Sequence, residues 1–399
     1  MTTRSILRPH GPLTLERMCL LAVGSLLVLL CTAQVVNEDA LRKLPLPQRP
    51  GALASLAALP DGHTIAAAYS KDGGLVLIDT ATWTITRTMT VQGFSGGARL
   101  TASNNGRYLL LKEVGRFTND GRRDVNGDQA VLDVANGDVV LNGGKAVDSA
   151  ISGDGRLFAT LDGDRVTVRS VPDGSTVRTI DVKNATNAIA ISPDGKLIAV
   201  SHRPSEAELA NVPSVRNDKK GMKAALKFRQ VVGLYHLEDG TLWRTVPEVY
   251  DIVRSMEFSP DGAQLLVYST TDLRYQKPTG SFSDLDFSLV SRPGHVEQID
   301  ARTGEPMRVG FMSRMNEPFL AVHPASHTLA LSSTEGHNKR KLLLFDTETG
   351  ETRAMIDLAQ RHRYDVSEGE EHDGREPYCW LADGRLLLAL GDNLAIWTP

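Results

Sequence analysis

From Ala188 to Val200 the chain alternates between two short apolar stretches, Ala188-Ile189-Ala190-Ile191 and Leu197-Ile198-Ala199-Val200, and the polar step Ser192-Pro193-Asp194-Gly195-Lys196 between them. Apolar runs this short, bounded by turn residues, read as strands. Pro193 presets φ for the first corner of a tight turn, Asp194 can accept hydrogen bonds from the turn itself, and Gly195 takes the positive φ that a side chain resists. The two strands are therefore expected to be antiparallel neighbours.

The same pattern recurs. Leu59-Pro60-Asp61-Gly62, Ser103-Asn104-Asn105-Gly106, Ser152-Gly153-Asp154-Gly155, Ser259-Pro260-Asp261-Gly262, His323-Pro324-Ala325-Ser326 and Leu381-Ala382-Asp383-Gly384 each precede a β-rich run. Copies spaced by about 40 to 65 residues have the period of four-stranded propeller blades with insertions. A second signature follows in each unit: an apolar third strand such as Val76–Thr80, Val232–His236 or Leu343–Thr347, then a turn such as Asn136-Gly137, Asp239-Gly240 or Thr349-Gly350. Such a meander cannot bury both faces alone, and radial stacking of the units buries them. The fold class expected is all-β, a seven-bladed β-propeller of four-stranded antiparallel blades.

The ends predict how the ring closes. The last unit stops after its third strand, Asn393–Trp397, one outer strand short. The segment Asp39–Pro45 reads like the fourth strand of the other units, so an N-terminal strand is expected to complete the last blade and remove an open edge.

Composition refines this only at the N-terminus. Arg4, Arg8 and Arg17 precede an apolar run from Met18 to Leu30, and Cys31-Thr32-Ala33 supplies small residues where a signal peptidase cuts. The run of about 13 residues is short of the roughly 20 of a membrane span, although Val35-Val36 can extend it. Residues 1–33 are thus expected to be a signal peptide or an N-terminal signal anchor, and 38–399 the propeller. The expected location is periplasmic or extracellular, or the inner membrane facing the periplasm. Cys379 is the one cysteine outside the leader, and on an apolar strand it reads as a small buried hydrophobe. A net charge of −4 gives no electrostatic footprint for nucleic acid.

The Ser-Pro-Asp-Gly turns together with Leu344-Phe345-Asp346-Thr347-Glu348-Thr349-Gly350 resemble the WD-repeat and YVTN-type propeller superfamily over about residues 38 to 399. The Gly-His and Trp-Asp landmarks of eukaryotic WD repeats are mostly absent, leaving only the Asp at Asp79, Asp133, Asp300 and Asp346. The looser exported bacterial propellers are the nearer comparison. The resemblance also admits cousins with catalytic sites built from distant loops, lactonases and cofactor-dependent oxidoreductases among them.

All long insertions fall between second and third strands or between blades, which places them on one face; functional loops on a rigid scaffold are the usual reason. In the first, Asp124, Asn126 and Asp128 have the alternate spacing with which a calcium loop begins. Gln129 stands where that loop needs Gly and Ala135 where it needs Glu, so a solvated turn is expected. The second is basic, with Arg216, Lys219, Lys220, Lys223, Lys227 and Arg229 around a short amphipathic helix suited to an acidic partner, a polyanionic glycan or a lipid headgroup. A third, with Tyr275, Phe282, Phe287 and Leu289, alternates like an extra hairpin. The last holds His362 and His372 in an acidic loop, two candidate contact residues without metal-ligand spacing.

There is no haem-attachment motif, serine-nucleophile elbow, phosphate loop or zinc-protease motif. The reading is an exported propeller acting as a protein- or polysaccharide-binding scaffold. It is expected to be a monomer, with no nucleic acid, no cofactor, and membrane contact only through an uncleaved N-terminus. The alternative is a propeller enzyme with a site at the mouth of the central channel.

Overall fold

The Ser192-Pro193-Asp194-Gly195 turn shows how four of the seven blades are locked. Gly195 has φ +69° and donates its N–H to Ser192 O at 2.9 Å. The Ser192 hydroxyl donates to Asp194 Oδ1 at 2.7 Å and accepts the Leu197 N–H at 2.9 Å, while Asp194 Oδ1 also accepts the Lys196 N–H at 3.1 Å. Ser152 and Ser259 build the same network with Asp154 and Asp261, and Ser103 builds it with Asn105. Burial pushes the carboxyls of Asp154, Asp194 and Asp261 up, but these hydrogen bonds hold all three below the ordinary range.

A computed structural model describes residues 34–45, 53–69, 74–94, 97–113, 127–270, 294–313, 318–335, 339–358, 377–390 and 393–399. Its strands form seven antiparallel meanders, at residues 53–90, 99–146, 148–181, 185–245, 252–313, 320–358 and 378–397, termed blades one to seven. The protein is an all-β, seven-bladed β-propeller. Seven apolar clusters fill the ring, each drawn from two neighbouring blades, including the pair formed by blades seven and one. Each sheet thus buries both faces against its neighbours, as one meander alone cannot.

The tight turns interlock on one face. A Cβ on Gly62 would lie 3.4 Å from Ala382, one on Gly106 3.3 Å from Pro60, and one on Gly262 3.3 Å from Pro193. Gly195→Ala combines a left-handed backbone with a Cβ 3.2 Å from Leu157, and is expected to cost about 1–2 kcal/mol in urea denaturation. Gly310→Ala is the control, because its Cβ would meet nothing nearer than 3.8 Å.

The ring closes as the sequence predicts, with one addition. Arg42–Pro45 pairs antiparallel with Asn393–Trp397, Arg42 opposite Ile396 and Pro45 opposite Asn393, and supplies blade seven with its fourth strand. The preceding segment Gln34–Asn37 also forms a strand, parallel to Thr352–Leu358, and becomes a fifth strand on blade six. Val35-Val36, which extends the apolar leader in a reading of the sequence, is therefore sheet edge here, with Val35 exposed. Between the two strands Leu41 is buried among side chains of blades six and seven. One twelve-residue strap, 34–45, thus stitches the last two blades together.

The Asp residues shared with WD repeats serve their own turns. Asp79 Oδ1 accepts the N–H groups of Ala81 and Thr82, and Asp300 and Asp346 do the same two and three residues on. In that turn Gly137, Gly174, Gly240, Gly304 and Gly350 take positive φ, and in blade one Trp83 occupies the position with φ 57°.

Candidate functional site

Between the second and third strands of blade four the chain leaves the sheet for two helices, α1 (Glu206–Leu209) and α2 (Lys219–Phe228). Ser205 caps α1 in a reciprocal box: its hydroxyl accepts the Glu208 N–H, and the Glu208 carboxylate accepts the Ser205 N–H at 2.8 Å. The other Glu208 oxygen lies 2.7 Å from His202 Nε2 and accepts Thr245 Oγ1 at 3.0 Å, which bolts the insertion to two strands of the blade. Asp218 caps α2, and Met222, Ala225 and Leu226 pack onto Leu209, Val212, Val215 and Val249. Arg203 Nη1 donates to Lys227 O at 3.0 Å, and Arg229 pairs with Asp251 at 2.5 Å, fixing the far end.

Burial pushes the Glu208 carboxyl up, but the hydrogen bonds from His202 and Ser205 outweigh it and bring the carboxyl down to about 2 from the ordinary 4.5. Its contribution to stability is complete above pH 4.5 and is lost as pH falls from there towards 2. Glu208→Gln is expected to lower stability at pH 7 by about 2 kcal/mol, with the deficit shrinking at pH 3, in urea denaturation at the two pH values.

Packing one face of α2 leaves the other to its lysines. Lys219, Lys223 and Lys227 follow one another at helical spacing, with Lys220 beside them and Arg216 just before the helix, and all five are exposed. Lys227 lies 4.8 Å over the Phe228 ring. Among the described residues no carboxylate pairs with Lys219, Lys220 or Lys223, so the stripe presents cations over about 12 Å of helix. Arg229 is not part of that free surface, being half-buried against Asp251.

The mouth of the channel is charged as well. Arg99, first residue of the inner strand of blade two, reaches across to blade six, its guanidinium carbon 5.2 Å from the Phe319 ring centre. Phe319 in turn meets Tyr378 of blade seven edge-on at 5.8 Å, and the Tyr378 hydroxyl donates to Phe319 O and accepts the Ser332 N–H at 2.9 Å. Lys112 Nζ of blade two lies 2.8 Å from Asp148 Oδ1 of blade three, and Asp148 Oδ2 accepts the Ile189 N–H of blade four at 3.0 Å. A carboxylate 4% exposed thereby links three successive blades.

On the inner strand of blade five stands Glu257. Its side chain is exposed, as a residue of an innermost strand can be where it faces the channel. Burial raises its carboxyl to about 7, against the pull of the Lys112 and Arg99 charges. Nothing in the sequence marked Arg99, Lys112, Asp148 or Glu257. Their register offers a signal: Arg99 and Asp148 stand four residues, and Glu257 two, before the first residue of a tight-turn motif.

Of the other expected residues, Asp124, Asn126, His362 and His372 lie outside the described residues, as does the hairpin segment from Tyr275 to Leu289. Asp128 stands in the strand Gly127–Asp133 opposite Lys145. Cys379 is buried and its thiol is pushed up to about 12 by that burial, which keeps it protonated and unreactive. No cluster of metal-ligating side chains occurs among the described residues. On the tight-turn face a hollow of about 340 Å³ is lined by His323, Ser326, Gly384, Gln34 and Pro399 among others, so the start of the strap lies on that face.

No family model matches the sequence, and no curated protein matches it by sequence. Among solved structures, the β-propeller domain of Cps50 (Swd1) from Myceliophteria thermophila superposes with a TM-score of 0.59 at 13% identity, over 90% of this chain and 99% of that one. The likeness is one of fold. Hydrazine synthase from Kuenenia stuttgartiensis gives a TM-score of 0.54 at 16% identity, over 88% of this chain and 97% of that one. Two proteins of such different description on one scaffold leave function to the side chains.

Proposed function

We propose that the chain is an exported, YVTN-like bacterial propeller that works as a binding scaffold, docking an acidic protein partner on the face that carries α1 and α2. The observation that carries this reading is the stripe of Lys219, Lys220 and Lys223, without carboxylate partners among the described residues, on the second helix of an insertion that is pinned to the propeller at its start and at its end. Rigid presentation of like charges favours a complementary partner and speeds its encounter. The leader, with Arg4, Arg8 and Arg17 before its apolar run, supports export.

The test is affinity capture from the exported fraction with the native chain and with a Lys219→Glu, Lys220→Glu, Lys223→Glu variant. The variant is expected to lose the acidic partner, and native binding to weaken with added salt. Unchanged capture overturns the reading, and capture of polysaccharide in place of protein transfers it to a glycan scaffold. A second reading, an enzyme at the channel mouth, draws on Glu257 and the charges of Arg99 and Lys112 beside it. Turnover of a lactone or an oxidisable substrate by the native chain, lost in Glu257→Gln, would favour it.

A further inference from the structure

The sheet bounds the leader. Gln34 is the first residue of the parallel ladder, opposite Ala354, and Val35 and Val36 follow it opposite Met355 and Ile356. With both valines committed to blade six, a membrane span cannot draw on them, and the apolar core from Met18 to Leu30 is left with about 13 residues against the roughly 20 that a span needs. An anchor is thereby disfavoured. Cys31-Thr32-Ala33 puts small residues where a signal peptidase cuts, so a cut after Ala33 releases a chain that begins at the first paired residue.

That residue is a glutamine, exposed at the wall of the hollow between blades six and seven. Ser326, Thr328, Arg353, His323 and Trp380 stand around it, and none of the side chains lining the hollow is a carboxylate. Arg353 is already spent on Asp346 Oδ2, which accepts its Nε at 3.0 Å, and on Thr328 Oγ1, and burial holds the His323 imidazole below its ordinary value. These side chains suit a neutral terminus better than an added ammonium.

We infer that Gln34 is a modification site: freed by a cut after Ala33, its α-amine closes on its own side-chain amide and leaves a pyroglutamyl residue at the start of the strap, an outcome that rests on the chain being exported. The amine nitrogen bonds to Cδ, the Cδ–Nε2 bond breaks, and a proton from the amine leaves with the side-chain nitrogen as ammonia. No oxidant or second substrate is needed. An α-amino group titrates at about 7.7–8.0, so part of it is neutral and nucleophilic near physiological pH. The exposed side chain has room to fold back on the amine, and the five-membered lactam that results carries no charge beside Arg353.

The experiment is to express the native chain with its leader in a bacterial host, recover it from the exported fraction, and measure the mass of the intact chain and of its first tryptic peptide. The chain is expected to start at Gln34, to be lighter by one ammonia, and to resist stepwise N-terminal sequencing until treated with a pyroglutamyl aminopeptidase. Gln34→Asn is expected to be cut at the same bond but to keep its amine, because a side chain one methylene shorter would have to close a strained four-membered ring. A free amine on Gln34, an intact leader or a different first residue in the exported chain overturns the inference and leaves export standing, as does an ammonia loss that persists in Gln34→Asn. Absence of the chain from the exported fraction overturns the export reading as well.

Discussion

Deleting residues 34–45 is expected to leave a ring that no longer holds: blade seven keeps three strands, blade six loses its fifth, and both expose unpaired edges. The loss includes the ladders to Thr352–Leu358 and Asn393–Trp397 and the burial of Leu41, which alone is worth about 1.5–3 kcal/mol. Several kcal/mol is a large share of the roughly 5–15 kcal/mol by which a domain is stable. The deletion variant should therefore unfold at least about 10 °C lower in a thermal scan and self-associate on a sizing column through the exposed edges. Adding residues 34–45 back as a peptide should recover part of that loss. A deletion variant as stable and monodisperse as the native chain would show that the ring is closed by its apolar clusters alone.

Asp148→Ala carries the second large effect, expected at about 3–5 kcal/mol in urea denaturation, because it strands the Lys112 ammonium and the Ile189 N–H together. The cost is not the worth of the ion pair itself. Lys112→Met combined with Asp148→Asn removes both charges while keeping an acceptor for Ile189 and should recover most of the loss, while Asp148→Asn alone should fall between. The pair therefore acts as a registration device between blades two, three and four, and a double-mutant cycle separates that role from net stabilisation.

The architecture was legible because its signals are local. Ser192 to Gly195 contains within four residues everything that fixes the turn, and the missing outer strand of blade seven could be read from the end of the chain. The turn at Trp83 was hidden because a bulky residue stands where five other blades use glycine, although Asp79 still marks it. Gln34–Asn37 was hidden for another reason. Val35-Val36 continues the apolar leader in sequence, and only pairing with a strand some three hundred residues away shows it to be sheet. The basic stripe was visible from its spacing, but not that Arg229 turns inward to Asp251. The channel charges were least legible, since Arg99, Lys112, Asp148 and Glu257 are single polar positions in strands of three different blades. Their meeting is a property of the closed ring.

The placement of Gln34 fixes more than stability. It lies beside Pro399 among the tight turns, whereas α1 and α2 rise from the opposite side. If the apolar leader stays embedded in a bilayer, the molecule is hung with its plain underside towards the lipid. The lysine stripe then looks outward into the aqueous compartment, where a soluble partner can reach it without passing beneath the ring.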